Sequence, residues 1–283
     1  MSDETIKIVW REPLVVREEQ EALIPEKYLD LTDNDDIPVL FSANAGVAKT
    51  SSIINYTHKK GYPLFIQECS SDMLATDLVG KWTIKGTETV YMAGECTSAL
   101  HYSCMLKEQF DQKYGNIEGD EREKALEKFP KVYLLLDEIN LLPPIVMKGL
   151  GSLFDARKYL NTDGPRVMGE REFLRVVGTM NAESMSAGFS LDPAVRSRFL
   201  ILKIKVTEIL TKLQSEHQLS QDIIDLITQT DALFSIREVE QLSVLKTKGV
   251  AMEEGLRLIL QKYEEEDLKT VKNALAALGI KVS

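Results

Sequence analysis

The sequence predicts an α/β protein: a mostly parallel β-sheet with helices on both faces, followed by a small part that is all helix. Three observations carry this. Short apolar runs bounded by turn-forming residues recur at Ile37–Phe41, Pro63–Gln67, Val132–Leu136, Leu174–Thr179 and Phe199–Ile204, with helical patterns between several of them; strands that alternate with helices make parallel sheets. Leu134, Leu135 and Leu136 are apolar without alternation, as a strand buried on both faces must be. After Ile204 strand signals stop, and Thr207–Leu213, Ser220–Thr230, Ser235–Lys246, Met252–Lys262 and Leu268–Leu278 all carry helical spacing.

Three segments follow from this pattern. Residues 1–36 are acidic and mixed, hold an amphipathic stretch at Val16–Ile24, end in a loop at Thr32–Asp36, and are expected to pack on the core as an extension. Residues 37–206 form the α/β domain. Within it Trp82-Thr83-Ile84 and Thr89-Val90-Tyr91 flank Lys85-Gly86-Thr87-Glu88, which reads as a β-hairpin inserted at about 77–95. Gln112–Phe129 reads as a surface loop running into a helix at Asp120–Glu127. Residues 207–283 form the helical domain, with Ser220 and Ser235 as N-caps and Ser235 with Glu238 as a capping box.

Composition narrows the function classes. A chain of 283 residues with 44% hydrophobic content buries a full core without disulfides. The net charge of −10 argues against non-specific grip on nucleic acid, which phosphate neutralisation drives. Cys69, Cys96 and Cys104 are odd in number and lack metal-ligand spacing, so they read as idle thiols in a reducing compartment. The N-terminal MSDETIKIVWREP has no apolar core of a signal peptide, and no run approaches the ~20 apolar residues of a membrane span. A cytoplasmic protein is the expectation.

The segment from Ala43 to Ser51 lies between a predicted strand and a predicted helix, Lys49–Lys59. A nucleoside triphosphate needs backbone N–H groups around its phosphates, and a loop entering a helix N-terminus supplies them; here that means Ala45, Gly46, Val47, Ala48, Lys49, Thr50 and Ser51. Lys49 adds a cation for the β and γ phosphates and Thr50 a hydroxyl for Mg²⁺. Both defining glycines of G-x-x-x-x-G-K-[ST] are alanine, at Ala43 and Ala48, which keeps the backbone close to a ligand if φ is negative there.

Downstream, the strand Val132–Leu136 ends in Asp137-Glu138, at the sheet edge where ligands bind. Asp137 is placed for Mg²⁺ and Glu138 for the water that attacks a γ-phosphate. The next strand ends in Asn181, an amide able to orient that water. Arg196 and Arg198 precede the last strand, and either can be presented to a neighbour's nucleotide. Arg237 opens a helix of the C-terminal domain, from which it can reach the phosphates.

This ordered set resembles the AAA+ ATPases, P-loop NTPases, and within them the MoxR branch, including the NorQ/CbbQ-like and RavA-like proteins. MoxR loops often read G-x-P-G-x-A-K-[ST], so Ala48-Lys49-Thr50 looks like a family trait, while Ala43 and Ala45 depart from it. Asp77-Leu78-Val79-Gly80 with the hairpin to Gly94 looks like the branch's insert. Leu136-Asp137-Glu138-Ile139-Asn140 matches Walker B, Gly178-Thr179-Met180-Asn181 sensor 1, Leu191–Phe199 the arginine-finger segment with Arg198 in the finger position, and Ser235-Ile236-Arg237 sensor 2. The similarity spans roughly residues 37–265. It implies a five-stranded sheet of order 5-1-4-3-2 with a helical lid. It also implies ATP and Mg²⁺ as cofactors, a homo-oligomeric and hexameric ring, and a chaperone-like role on a client protein, including metal or cofactor insertion, often beside a von Willebrand A domain partner. Two rival readings are a nucleic-acid-associated AAA+ motor and a nucleotide-gated scaffold that does not hydrolyse.

Overall fold

The computed structural model describes residues 7–20, 22–34, 37–43, 46–181, 191–205, 209–210, 212, 214, 219–229, 236–261, 263, 265–277 and 280. Along the chain run β1 (Ile8–Val9), α1 (Glu26–Asn34), β2 (Val39–Ala43), α2 (Lys49–Lys60), β3 (Leu64–Glu68), α3 (Ala75–Val79), β4 (Gly80–Lys85), β5 (Glu88–Ala93), α4 (Glu95–Tyr114) and α5 (Gly119–Lys128). There follow β6 (Val132–Asp137), a 3₁₀ turn (Ile139–Leu141), α6 (Pro144–Gly149), α7 (Gly151–Phe154), β7 (Leu174–Asn181), α8 (Pro193–Arg196) and β8 (Leu200–Lys203). The rest is helical: α9 (Gln221–Gln229), α10 (Ile236–Thr247), α11 (Met252–Leu260) and α12 (Glu265–Ala277).

The main sheet runs, from edge to edge, β8, β2, β7, β6, β3, which in chain order within this sheet is fifth, first, fourth, third and second. The pairs β3–β6 and β6–β7 are parallel, with Glu68 opposite Asp137 and Leu136 opposite Gly178. Burial explains the composition of the centre: Val132 to Leu136 are all fully buried, so neither face of β6 tolerates a polar residue until Asp137 at its end. Helix α4 packs beneath through Cys96, Ala99, Leu100, Leu106 and Phe110, all part of one apolar core.

A second, three-stranded sheet, ordered β1-β5-β4, changes how strand order reads through the whole chain, because three strands lie outside the main sheet. The hairpin β4–β5 is antiparallel, closing at the pair Lys85–Glu88 with Gly86 at φ +67°, a turn conformation glycine adopts without cost. β1 joins it in parallel, Ile8 beside Tyr91 and Val9 beside Met92, a pairing the sequence pattern did not reveal. From there the chain crosses to the main sheet's edge, where Leu14 N–H donates to Leu64 O at 2.7 Å. It then buries Leu23 and Ile24, and Ile24 N–H donates to Ser52 Oγ at 3.1 Å.

Two expectations are corrected. The loop expected at Thr32–Asp36 is one of them: α1 takes in Thr32, Asp33 and Asn34, which composition assigned to that loop. Tertiary contacts override the turn-forming residues there: Thr32 is buried with its hydroxyl 3.0 Å from Tyr133 Oη, Tyr62 Oη donates to Asp33 at 3.1 Å, and Tyr56 Oη donates to Asp30 at 2.9 Å. Likewise Gln112 and Lys113 lie in α4, which continues to Tyr114 because Phe110 anchors its last turns in a cluster with Phe129 and Phe173. The capping box at Ser235 and part of Thr207–Leu213 lie outside the described residues. No helix among the described residues is long and apolar enough to cross a membrane.

The described chain divides into two compact units, Met1–Ser42 with Thr50–Leu202, and Ala43–Lys49 with Lys203–Ser283. In the first, Gly94 sets the junction between hairpin and α4. A Cβ there would sit 2.2 Å from Leu78 O and 2.5 Å from Leu78 C, backbone atoms that cannot step aside. Gly94→Ala is therefore expected to destabilise the unit by about 1–3 kcal/mol, as overpacking does. A thermal melt should show this as a Tm lowered by several degrees.

Candidate functional site

The loop before α2 turns sharply. Gly46 has φ +84° and Ala48 φ +48°, so both occupy the left-handed region. The condition of negative φ set for the two alanines therefore fails at Ala48. Its methyl group is held in a conformation that costs an L-residue roughly 1–2 kcal/mol, which shows why glycine is the usual occupant. Ala43 instead ends β2 as a buried strand residue. Val47 is fully buried, and Lys49, 7% exposed, donates its ammonium to Ala43 O at 3.0 Å. Ala45 lies outside the described residues. Ser51 is half-buried in the first turn of α2.

Thr50, next in the chain after Lys49, carries the central contact: its Oγ1 donates to Asp137 Oδ1 at 2.7 Å. The start of α2 and the end of β6 therefore meet in one crevice. Thr179 Oγ1 donates to the same oxygen at 2.5 Å and accepts from Glu138 N–H at 3.0 Å. Asn181 Nδ2 donates to Glu138 Oε1 at 2.7 Å. Thr179 and Asn181 are two positions apart on β7 and so share a face, which is how one strand end serves both carboxylates. Glu138 itself has φ +55° and ψ +45°, strained for a residue with a side chain, and begins the 3₁₀ turn at Ile139.

Five residues are thus brought together: Thr50, Asp137, Glu138, Thr179 and Asn181. Thr179 was not singled out by sequence reasoning, although its place two residues before Asn181 was the available signal. Burial raises the Cys69 thiol to about 12, with Asp137 and Glu138 adding to the effect, and Cys69 N–H donates to Asp137 O at 2.9 Å. The three cysteines are free thiols.

Arg196 and Arg198 lie at α8 of the first unit. Asp192 caps α8 by accepting from Ala194 N–H at 2.8 Å. Arg198 follows that helix, donates to Ala194 O, and sits 4.0 Å from Asp155. Arg196 is exposed on α8. Arg237 lies in the second unit, exposed on the first turn of α10, where it lines a groove of about 750 Å³ with Glu240, Val244, Leu245 and Leu258.

A hydroxyl and a carboxylate 2.7 Å apart offer hard oxygen donors, the chemistry that suits Mg²⁺. No group of three or more His, Cys, Asp or Glu side chains among the described residues forms a separate metal cage. The arrangement fits an ion shared with a phosphate ligand, since Mg²⁺ usually takes one or two carboxylates and completes its shell from substrate and water.

Comparison with known proteins follows the same lines. Residues 38–199 match the family described as AAA domain (dynein-related subfamily). A segment of 76 residues is 36% identical to Protein NorQ of Paracoccus denitrificans (strain Pd 1222), covering 26% of this chain and 28% of that protein. Among solved structures, one from Cytophaga hutchinsonii aligns at 16% identity and a TM-score of 0.44, covering 87% of this chain and 79% of that one. A full-length MCM homolog from Methanopyrus kandleri aligns at 15% identity and a TM-score of 0.40, covering 88% and 54%.

Two measurements test the site. Thr179→Val should cost about 1–3 kcal/mol in chemical denaturation, because it leaves the Glu138 N–H without its acceptor, while Thr179→Ser should recover most of it. Iodoacetamide at pH 8 should leave Cys69 unmodified in the folded protein and label it once urea unfolds the chain, since almost no thiolate exists that far below its titration point.

Proposed function

The chain belongs to the AAA domain family, dynein-related subfamily, and from that premise we propose that it hydrolyses ATP to remodel a partner protein, in the manner of the MoxR branch that its motifs resemble. The observation that carries this reading is the 2.7 Å hydrogen bond from Thr50 to Asp137, which joins the phosphate loop's helix to the strand-end carboxylates. The segment shared with NorQ supports the branch, and the chain spans 28% of that relative's length.

In this reading the backbone from Gly46 to Ser51 receives the triphosphate, with Lys49 turning its ammonium from Ala43 O toward the β and γ phosphates. Thr50 and Asp137 hold Mg²⁺, which when bound neutralises phosphate charge. Glu138 accepts a proton from the attacking water, and Asn181 fixes the carboxylate that does so. Thr179 keeps Asp137 and the Glu138 backbone in register. Arg198 serves the nucleotide of a neighbouring copy, and Arg237 couples nucleotide state to the helical lid at 207–283. A hexameric ring, a client matured by metal or cofactor insertion, and a von Willebrand A domain partner complete the proposal on the strength of the resemblance.

The test is a phosphate-release assay beside calorimetry. Glu138→Gln is expected to bind ATP with wild-type affinity and lose about 10²–10⁴ in turnover, the range for a general base. Lys49→Ala should lose binding, and EDTA should abolish turnover. Full turnover in Glu138→Gln would remove that residue from the base role. A wild-type chain that binds ATP and releases no phosphate would make the protein a nucleotide-gated scaffold.

A further inference from the structure

The site's two carboxylates take their hydrogen bonds from Thr50, Thr179 and Asn181, while two arginines far apart in sequence converge elsewhere, on Asp155. Asp155 ends α7. Arg157 donates Nη2 to Asp155 Oδ2 at 2.5 Å, Nε to both carboxylate oxygens at 3.1 Å, and its backbone N–H to Oδ1 at 2.9 Å. Arg198 Nε lies 4.0 Å from the same Oδ2. The guanidiniums reach solvent, with Arg157's side chain 57% exposed and Arg198's 32%. Lys148 of α6 pairs with Asp192, the cap of α8, at 3.3 Å. These pairs set three cations against two carboxylates, on a chain whose net charge is −10.

We propose that Asp155 is a positioning residue that aims Arg157 and Arg198 together at the phosphates of a nucleotide held by a second copy of this chain, so that Arg157 is a second trans-acting arginine. This rests on the ATPase reading above. One carboxylate shared by two guanidiniums leaves unspent positive charge on the surface, and a triphosphate is the ligand that absorbs it. Exposed ion pairs hold weakly, so a phosphate of higher charge draws the guanidiniums outward. A guanidinium then grips phosphate oxygens through two parallel N–H donors, a geometry lysine does not offer. Asp155 keeps both forks in reach while no phosphate is present.

The experiment uses the full chain and steady-state phosphate release. Arg157→Ala is expected to lower kcat tenfold or more, with KM changed less than about threefold, the signature of a contact made in the transition state. Arg157→Lys should recover little of it. Asp155→Asn should lower kcat by a smaller factor, and Asp155→Glu should restore part. Mixed in equal amounts with Lys49→Ala, the Arg157→Ala variant should regain turnover above the sum of the two alone, because the Lys49→Ala copies still present both arginines. An unchanged kcat in Arg157→Ala, or a mixture no better than its parts, overturns this inference and leaves the ATPase reading standing. Absence of Lys49-dependent turnover in the wild-type chain overturns both.

Discussion

One carboxylate oxygen, Asp137 Oδ1, holds the crevice together. It accepts from Thr50 on the helix after the Gly46–Ala48 turn and from Thr179 on the neighbouring strand, so α2, β6 and β7 are tied at a single atom. The geometry follows from the sheet. β6 is buried on both faces and parallel to both neighbours, so its C-terminal end is the first point at which a charged side chain can meet solvent. Placing an acid there, and hydroxyls on the two elements flanking it, gives a half-buried carboxylate two hydrogen-bond donors. The same hydroxyl–carboxylate pair is what a hard divalent ion would take over.

The polypeptide accepts strain on both sides of that atom. Ala48 and Glu138 occupy the left-handed region, one before the Lys49-Thr50 pair and one directly after Asp137. Neither is glycine, and such conformations persist only where the surroundings over-determine them. At Glu138 the determinants are visible: its N–H is held by Thr179 and its carboxylate by Asn181. The strain is thus local, and it fixes the direction in which the second acid points.

Much of this was legible in the sequence because it is written in local patterns. Apolar runs bounded by turn-formers located the main strands, and Asp137-Glu138 after an uninterrupted apolar run marked the strand end at which Thr50, Thr179 and Asn181 gather. What stayed hidden depends on partners distant in the chain. Thr32, Asp33 and Asn34 read as a turn by composition, yet Tyr62 and Tyr133 hold them in α1. Ile8 and Val9 are too short a run to announce a strand, and only β5 makes them one. Ala48 looked like a mild substitution, yet its φ is positive, which nothing in the local sequence pattern announces. Thr179 was read as part of a motif but not as a ligand of two neighbours, because strand periodicity alone does not say what lies across from it.

The N-terminal segment also has a bearing on how the molecule assembles as it is made. Ile8 and Val9 are synthesised some eighty residues before their partners Tyr91 and Met92, and Leu64, which receives Leu14, lies between. Such non-local pairings close slowly, since loop entropy must be overcome before any contact rewards it. Until then the outer edge of β3 stands open, and an unpaired strand edge is a template for sticking to another nascent chain. The short crossing segment covers part of that edge through Leu14, and shortening it would leave more of β3 open to a neighbouring chain.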